Sequence, residues 1–381
     1  MIHRFTLLLV LGGLAPLAAE PTFLAQASDL LNEGRIDETA TLVQQALATN
    51  PDDPDALVIQ GTVVLYRNLH PRREDSIYRP QAEPAGPRAP ALDPSGAAAI
   101  ADWWKRVPAR DPARIYLWGD LAQLTFRAGD SSQALAYAAE ALVSPPDPEA
   151  LQAAASVFLL NLDADRAVQA LEKIPGNRSS LLYRGLEAWR LGKEEWQTPL
   201  KAYVADPGLD KTGVQLASFL IGPGMRDTEA GFLEALKTEN DIPALFVRQK
   251  YVDRYPDKFL ARLDLARSLS QFGSFALALA QYSEIDKRGL ASSPDERLAV
   301  AFQQAWAFQA SGRVEEASNL WEAIADSRDF YLRSAACWFL GQNATGRADT
   351  AAAKGWWSRV ADEPARSKYA FWALEELTKL P

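Results

Sequence analysis

Cysteine is almost missing from this 381-residue chain, which has only Cys337, beside two histidines and two methionines. One cysteine excludes an internal disulfide. With His3 in the leader described below, His70 and Cys337 are the only soft ligands left, too few for a zinc site without several carboxylates. No metal or cofactor is expected. His70 reads as a solvated histidine at a helix end before Pro71, and Cys337, within "SAACWFLG", as a buried structural thiol. The sequence also lacks a glycine-rich phosphate loop, a G-x-S-x-G elbow and an EF-hand loop. Basic clusters are missing as well: the net charge is −9, with both signs interspersed, which argues against a nucleic-acid partner. The paired glutamates Glu194–Glu195, Glu315–Glu316 and Glu375–Glu376 read as solvated helix starts or exposed faces. No catalytic residue is assigned. The sequons at Asn177 and Asn343 read as chance matches.

Long apolar runs are absent beyond the first residues. Met1 to Ala19 carry Arg4, an apolar run from Phe5 through Leu17 and the small pair Ala18-Ala19 before Glu20, the pattern of a secretory signal peptide. Cleavage would leave Glu20 at the mature terminus; an uncleaved anchor is the alternative. The run is short for a bilayer span, which needs about 20 residues, and no cysteine follows it to be acylated. Export without disulfides suits a bacterial periplasm, and a periplasmic or secreted protein without stable membrane insertion is expected.

What the chain does have is a recurring helix–turn–helix pattern. The clearest unit runs from Arg114 to Asp147, "RIYLWGDLAQLTFRAGDSSQALAYAAEALVSPPD", with Trp118, Leu121, Ala122, Gly129, Ala134, Ala138, Ala141 and Pro146 at regular positions. The first unit repeats the spacing with Ala27, Leu30, Gly34, Ala46 and Pro51, but has Thr39 where alanine is usual. A later one aligns Leu265, Ala266, Leu269, Gly273, Ala278, Tyr282 and Ile285, and Gly312 and Gly346 lie one repeat of about 34 residues apart. Small residues let paired helices approach, large apolar ones fill the seam, and glycine supplies the left-handed turn. Units at 148–175 and 179–205 are degenerate, and helix pairing between about 212 and 255 is left open. The eleven tryptophans read mainly as seam packing.

These residues resemble the tetratricopeptide repeat (TPR) family over most of the length. The resemblance implies an all-α fold, a right-handed superhelical solenoid whose first helices line a concave groove for protein or peptide partners. A break at "IGPGMRD" suggests an N-terminal array at 20–221 and a C-terminal array at 222–381 ending in a capping helix. Residues 71–95, dense in proline, read as an extended insertion between the two helices of the second unit; deleting it should cost little stability. On the groove stripe the register places Phe302, Trp306 and Gln309 in one unit and Tyr116, Gln123 and Phe126, beside Gly119, in another. The lysine and asparagine clamp for a partner's terminal carboxylate is absent from it. More weakly, "SRDFYLRSAACWFLGQNATGRADTAAAKGWWSRVADEPARSKYAFWALEEL" is similar to the helical superhelix of soluble lytic transglycosylases. That similarity implies an envelope setting, with peptidoglycan or assembly machinery as a partner. A non-catalytic scaffold is thus expected; an enzyme would need two carboxylates about 5–10 Å apart in a closed cleft.

Overall fold

The computed structural model describes residues 22–69, 94–108, 112–127, 129–208, 211–223, 225 and 227–380. The leader, His70 and nearly all of the 71–95 segment lie outside these residues. Among the described residues every regular element is helical, in twenty α-helices and two short 3-10 turns. No helix there is long and apolar enough to cross a membrane. The chain divides into two compact units, one comprising Met1–Val157 with Lys173–Pro175, the other Phe158–Glu172 with Gly176–Pro381. The Gly222-Pro223 break falls inside the second.

The first unit contains α1 (Phe23–Asn32), α2 (Ile36–Thr49), α3 (Pro54–Leu69), α4 (Pro94–Lys105), α5 (Pro112–Arg127) and α6 (Ser131–Val143), each packed on the next. Its boundary with the second unit falls within α7 (Pro148–Leu160). Helix starts follow local chemistry: the Asp53 and Asp147 carboxylates accept hydrogen bonds from the amides of Ala56 and Ala150, at 2.9 and 2.7 Å, and a proline follows each aspartate at a position that needs no donor. Pro112 is likewise the first residue of α5. Thr39, the exception to the small-residue rule, is fully buried and donates its hydroxyl to the Arg35 carbonyl at 3.0 Å. A β-branched polar residue is tolerated there because its hydrogen is spent within its own helix.

The second unit continues with α8 (Ala164–Glu172), α9 (Ser179–Arg190), α10 (Gln197–Ala205), α11 (Val214–Ile221), α12 (Glu229–Thr238) and α13 (Ile242–Arg254). The regular hairpins are α14 (Phe259–Gln271) with α15 (Phe275–Lys287), α16 (Pro294–Ala310) with α17 (Val314–Ile324), and α18 (Phe330–Gly346) with α19 (Thr350–Ser358). The last helix is α20 (Lys368–Lys379). The region left open by the sequence is settled here: α11, α12 and α13 pack in succession, and α13 also returns to α9. There Tyr183 meets Phe246, while Phe232 stacks on Tyr251 at 5.2 Å and approaches Trp189 at 6.1 Å. A second tie spans 114 positions, the Ser274 hydroxyl donating to the Leu160 carbonyl at 2.6 Å.

Gly34, Gly129, Gly273 and Gly312 all carry the positive φ expected of the turn between paired helices. Gly346 does not. It ends α18 within the helix, and the left-handed residue is Ala348, at φ 59°. The cause is repeat length: α16 and α18 begin and end 36 positions apart (Pro294 to Phe330, Ala310 to Gly346), so the residue equivalent to Gly312 is Ala348.

A different glycine role recurs inside first helices. At Gly61 an added Cβ would lie 2.5 Å from the Trp104 indole nitrogen, and at Gly341 it would overlap the indole of Trp357. In both, the buried tryptophan of the second helix drops into the notch and donates its indole N–H, at 3.3 Å, to the carbonyl three residues before the glycine, Val58 or Trp338. The unit between α16 and α17 has Ala305 and Trp321 at the matching places, each 36 positions before Gly341 and Trp357. Its buried Trp321 N–H has no acceptor among the described residues. The alanine methyl accounts for the difference: it fills the notch that lets the other two indoles reach the backbone.

Candidate functional site

The site is built on the first helices of the last three hairpins. A capping box starts α16: the Ser293 hydroxyl accepts from the Glu296 amide at 3.1 Å while Glu296 accepts from the Ser293 amide at 2.9 Å. These bonds, with those from Ser292, hold the Glu296 carboxyl below its ordinary range. The Asp329 carboxylate caps α18 by accepting from the Leu332 amide at 3.1 Å. With both helix starts fixed, Asp295, Leu298, Ala299, Phe302 and Gln303 of α16 open onto a groove of about 580 Å³. Arg267 of α14 closes one part of the wall, and Asp329, Tyr331 and Leu332 form the wall at α18.

Its floor is aromatic. The half-buried Phe302 ring packs edge-on against buried Trp321, with centroids 5.4 Å apart, and lies 6.5 Å from Tyr331. Tyr331 continues to Tyr369 at 5.5 Å, yet stays 46% exposed. Leu260, Asp295 and Tyr331 are each the second residue of a first helix, and all three are exposed.

The residues expected to share one stripe separate. Phe302 lies in the groove. Trp306 is half-buried and turns to Phe275 of α15, with rings 6.1 Å apart. Four residues advance a helix by a full turn and about 40° more, enough to send two large rings to different neighbours. Gln309 is engaged in a reciprocal amide pair with Asn343, at 2.8 and 3.0 Å, and Asn343 also donates to the Ser318 hydroxyl. Buried and bonded, Asn343 has no face open to a glycan. In the first unit Phe126 is a correction: it is 3% exposed, core rather than groove, because α5 turns that stripe inward. Gln123 is half-buried, and the side chain of Tyr116 lies outside the described residues.

Sequence reasoning missed Tyr331, Asp295, Asp329 and Arg267. For Asp295, Asp329 and Tyr331 the signal lay in the caps, since Ser293-Pro294 and Asp329 fix the helix starts and so name the second positions; Arg267, in the middle of α14, carried no such signal. Cys337 is fully buried, and burial pushes its thiol up to about 11, which fits a packing role. None of the eleven tryptophans is exposed.

The sequence carries a tetratricopeptide repeat: the family model of that description matches residues 24–72, spanning most of α1, all of α2 and all of α3. No curated protein matches the chain. Among solved structures, the TPR domain of P58(IPK) matches at 13% identity over 94% of this chain and 97% of that one, with a TM-score of 0.29. Yeast Tom70 matches at 13% identity over 94% and 88%, with a TM-score of 0.34. A monomeric mutant of IFIT1 with Gppp-AAAA matches at 14% identity over 85% and 66%, with a TM-score of 0.27. The repeat itself suggests a protein-interaction scaffold.

Proposed function

We propose that the chain is a non-catalytic scaffold that holds a protein or peptide partner in the groove formed by α14, α16 and α18. One observation carries the reading: Tyr331, 46% exposed, and half-buried Phe302 stand side by side on a concave face. Large aromatics left open to water are costly unless something covers them, and such side chains commonly dominate interface energetics. The apolar leader from Phe5 through Leu17, followed by Ala19 and Glu20, supports export. A sequence resemblance of the C-terminal stretch to the transglycosylase superhelix supports the cell envelope as the setting.

A photo-crosslinking residue at Tyr331 in the full chain, expressed in the native host, tests the groove. A discrete adduct should form there, and none when the crosslinker replaces Val143, which is 78% exposed on the first unit. Equal labelling from both sites would remove the groove from the reading. Export is checked separately: N-terminal sequencing of protein from the host should begin at Glu20, and an intact Met1 would refute it.

A further inference from the structure

The groove's walls carry more information than its apolar floor. Asp295, in the first turn of α16, is exposed and has no hydrogen-bond or ion-pair partner among the described residues. Asp329 spends Oδ1 on capping α18, which leaves Oδ2 for another donor. The third charge, Arg267, stands apart on α14. Among the described residues, the groove therefore carries its acidic side on α16 and at the start of α18, the helices of Phe302 and Tyr331, and one cation, on α14.

One side-chain type uses the floor and the acidic side together. A guanidinium is planar, lies flat on an aromatic face and offers paired donors to carboxylates; an ammonium does this less well, and an aliphatic side chain uses the floor alone. A surface ion pair by itself contributes little. Against an aromatic wall in a groove it is partly shielded from water and gains strength. The net charge of −9 adds long-range attraction for basic segments.

We propose that this groove selects an arginine-bearing apolar segment of a partner protein, the guanidinium read by Asp295 and Asp329 against the rings of Phe302 and Tyr331. The proposal rests on the groove being the partner site. It predicts a preference opposite in charge to capture of a terminal carboxylate.

Four mixtures of fluorescent, end-blocked nonapeptides test it. Each fixes the central residue as arginine, lysine, leucine or glutamate, with alanine, leucine, phenylalanine, serine and glycine mixed elsewhere. Binding to the full chain is followed by anisotropy. The arginine mixture should bind tightest, then lysine, then leucine, with glutamate weakest. The double variant Asp295→Asn/Asp329→Asn should weaken the arginine mixture roughly tenfold and leave leucine unchanged. Asparagine caps a helix as well as aspartate does, so the fold should survive, and an unchanged melting curve confirms it. Leucine or glutamate binding as tightly as arginine, or an indifferent double variant, overturns the proposal; if Tyr331→Ala still abolishes binding, the groove reading stands. If no mixture binds, or Tyr331→Ala changes nothing, both fall.

Discussion

Substituting Gly341 by alanine places a methyl group within the space of the Trp357 indole. The indole cannot step aside easily, being 1% exposed and stacked on Trp338 at 6.0 Å. Overpacking of this kind costs about 1–3 kcal/mol. Displacing the ring also breaks the 3.3 Å bond to the Trp338 carbonyl and strands a buried donor, for another 1–3 kcal/mol or so. Alanine's better helix propensity returns about 1 kcal/mol. The net loss should be about 1–5 kcal/mol, or roughly 2–4 °C in melting temperature for each kcal/mol in a unit of this size. Gly355 is the control, a glycine in α19 with nothing within 4 Å of an added Cβ; Gly355→Ala should stabilise by up to about 1 kcal/mol. Denaturation followed by circular dichroism at 222 nm measures both. The double variant Gly341→Ala/Trp357→Leu should lose less than the sum of its parts, since removing the ring removes the clash. A Gly341→Ala protein as stable as the parent would refute the notch.

Ala348→Gly should stabilise by about 1 kcal/mol, because Ala348 sits at φ 59°, where a Cβ is strained; a lower melting temperature would count against the left-handed turn. Trp306→Ala should lower stability by about 2 kcal/mol through lost packing on Phe275, while crosslinking from Tyr331 persists; loss of the crosslink with unchanged melting would put Trp306 back in the groove. Burial raises the Cys337 thiol to about 11 and the Tyr282 phenol to about 12. Both groups ionise earlier in the unfolded chain, near 9 and 10, so their contribution is fully present below pH 9 and declines as pH rises through 11 to 12. Stability flat from pH 9 to 12 would contradict this, as would rapid reaction of Cys337 with a thiol reagent at pH 8.

The helical architecture was readable because its punctuation is local. Gly34, Gly129, Gly273 and Gly312 mark turns that require a left-handed residue, and alanines mark the seams. Gly346 misled because the last hairpins repeat every 36 residues, so that a glycine at the 34-residue spacing fell inside a helix. Of the groove stripe, Phe302 was legible from register alone. Gln309 was not, because its partner Asn343 arrives from the next hairpin, and Trp306 was not, because Phe275 claims it from α15. Phe126 shows the same limit: periodicity names a face but not the helix that covers it. Packing between α9 and α13 had no sequence signal, because the three helices between them separate the partners.

That contact and the Ser274–Leu160 bond change how the second unit should come apart. A chain of repeats that touch only their neighbours frays from its ends, each unit lost nearly independently. Here the return of α13 to α9 and the tie across 114 positions bind distant stretches of chain to one fate. Amide hydrogens from α9 to α14 should then exchange as one block, with a common opening free energy, while α19 and α20 exchange sooner. The groove helices α16 and α18 stand between that block and the fraying end. A partner laid across them would clamp the softer side, so that binding is registered as slower exchange beyond the groove, in helices the partner never touches.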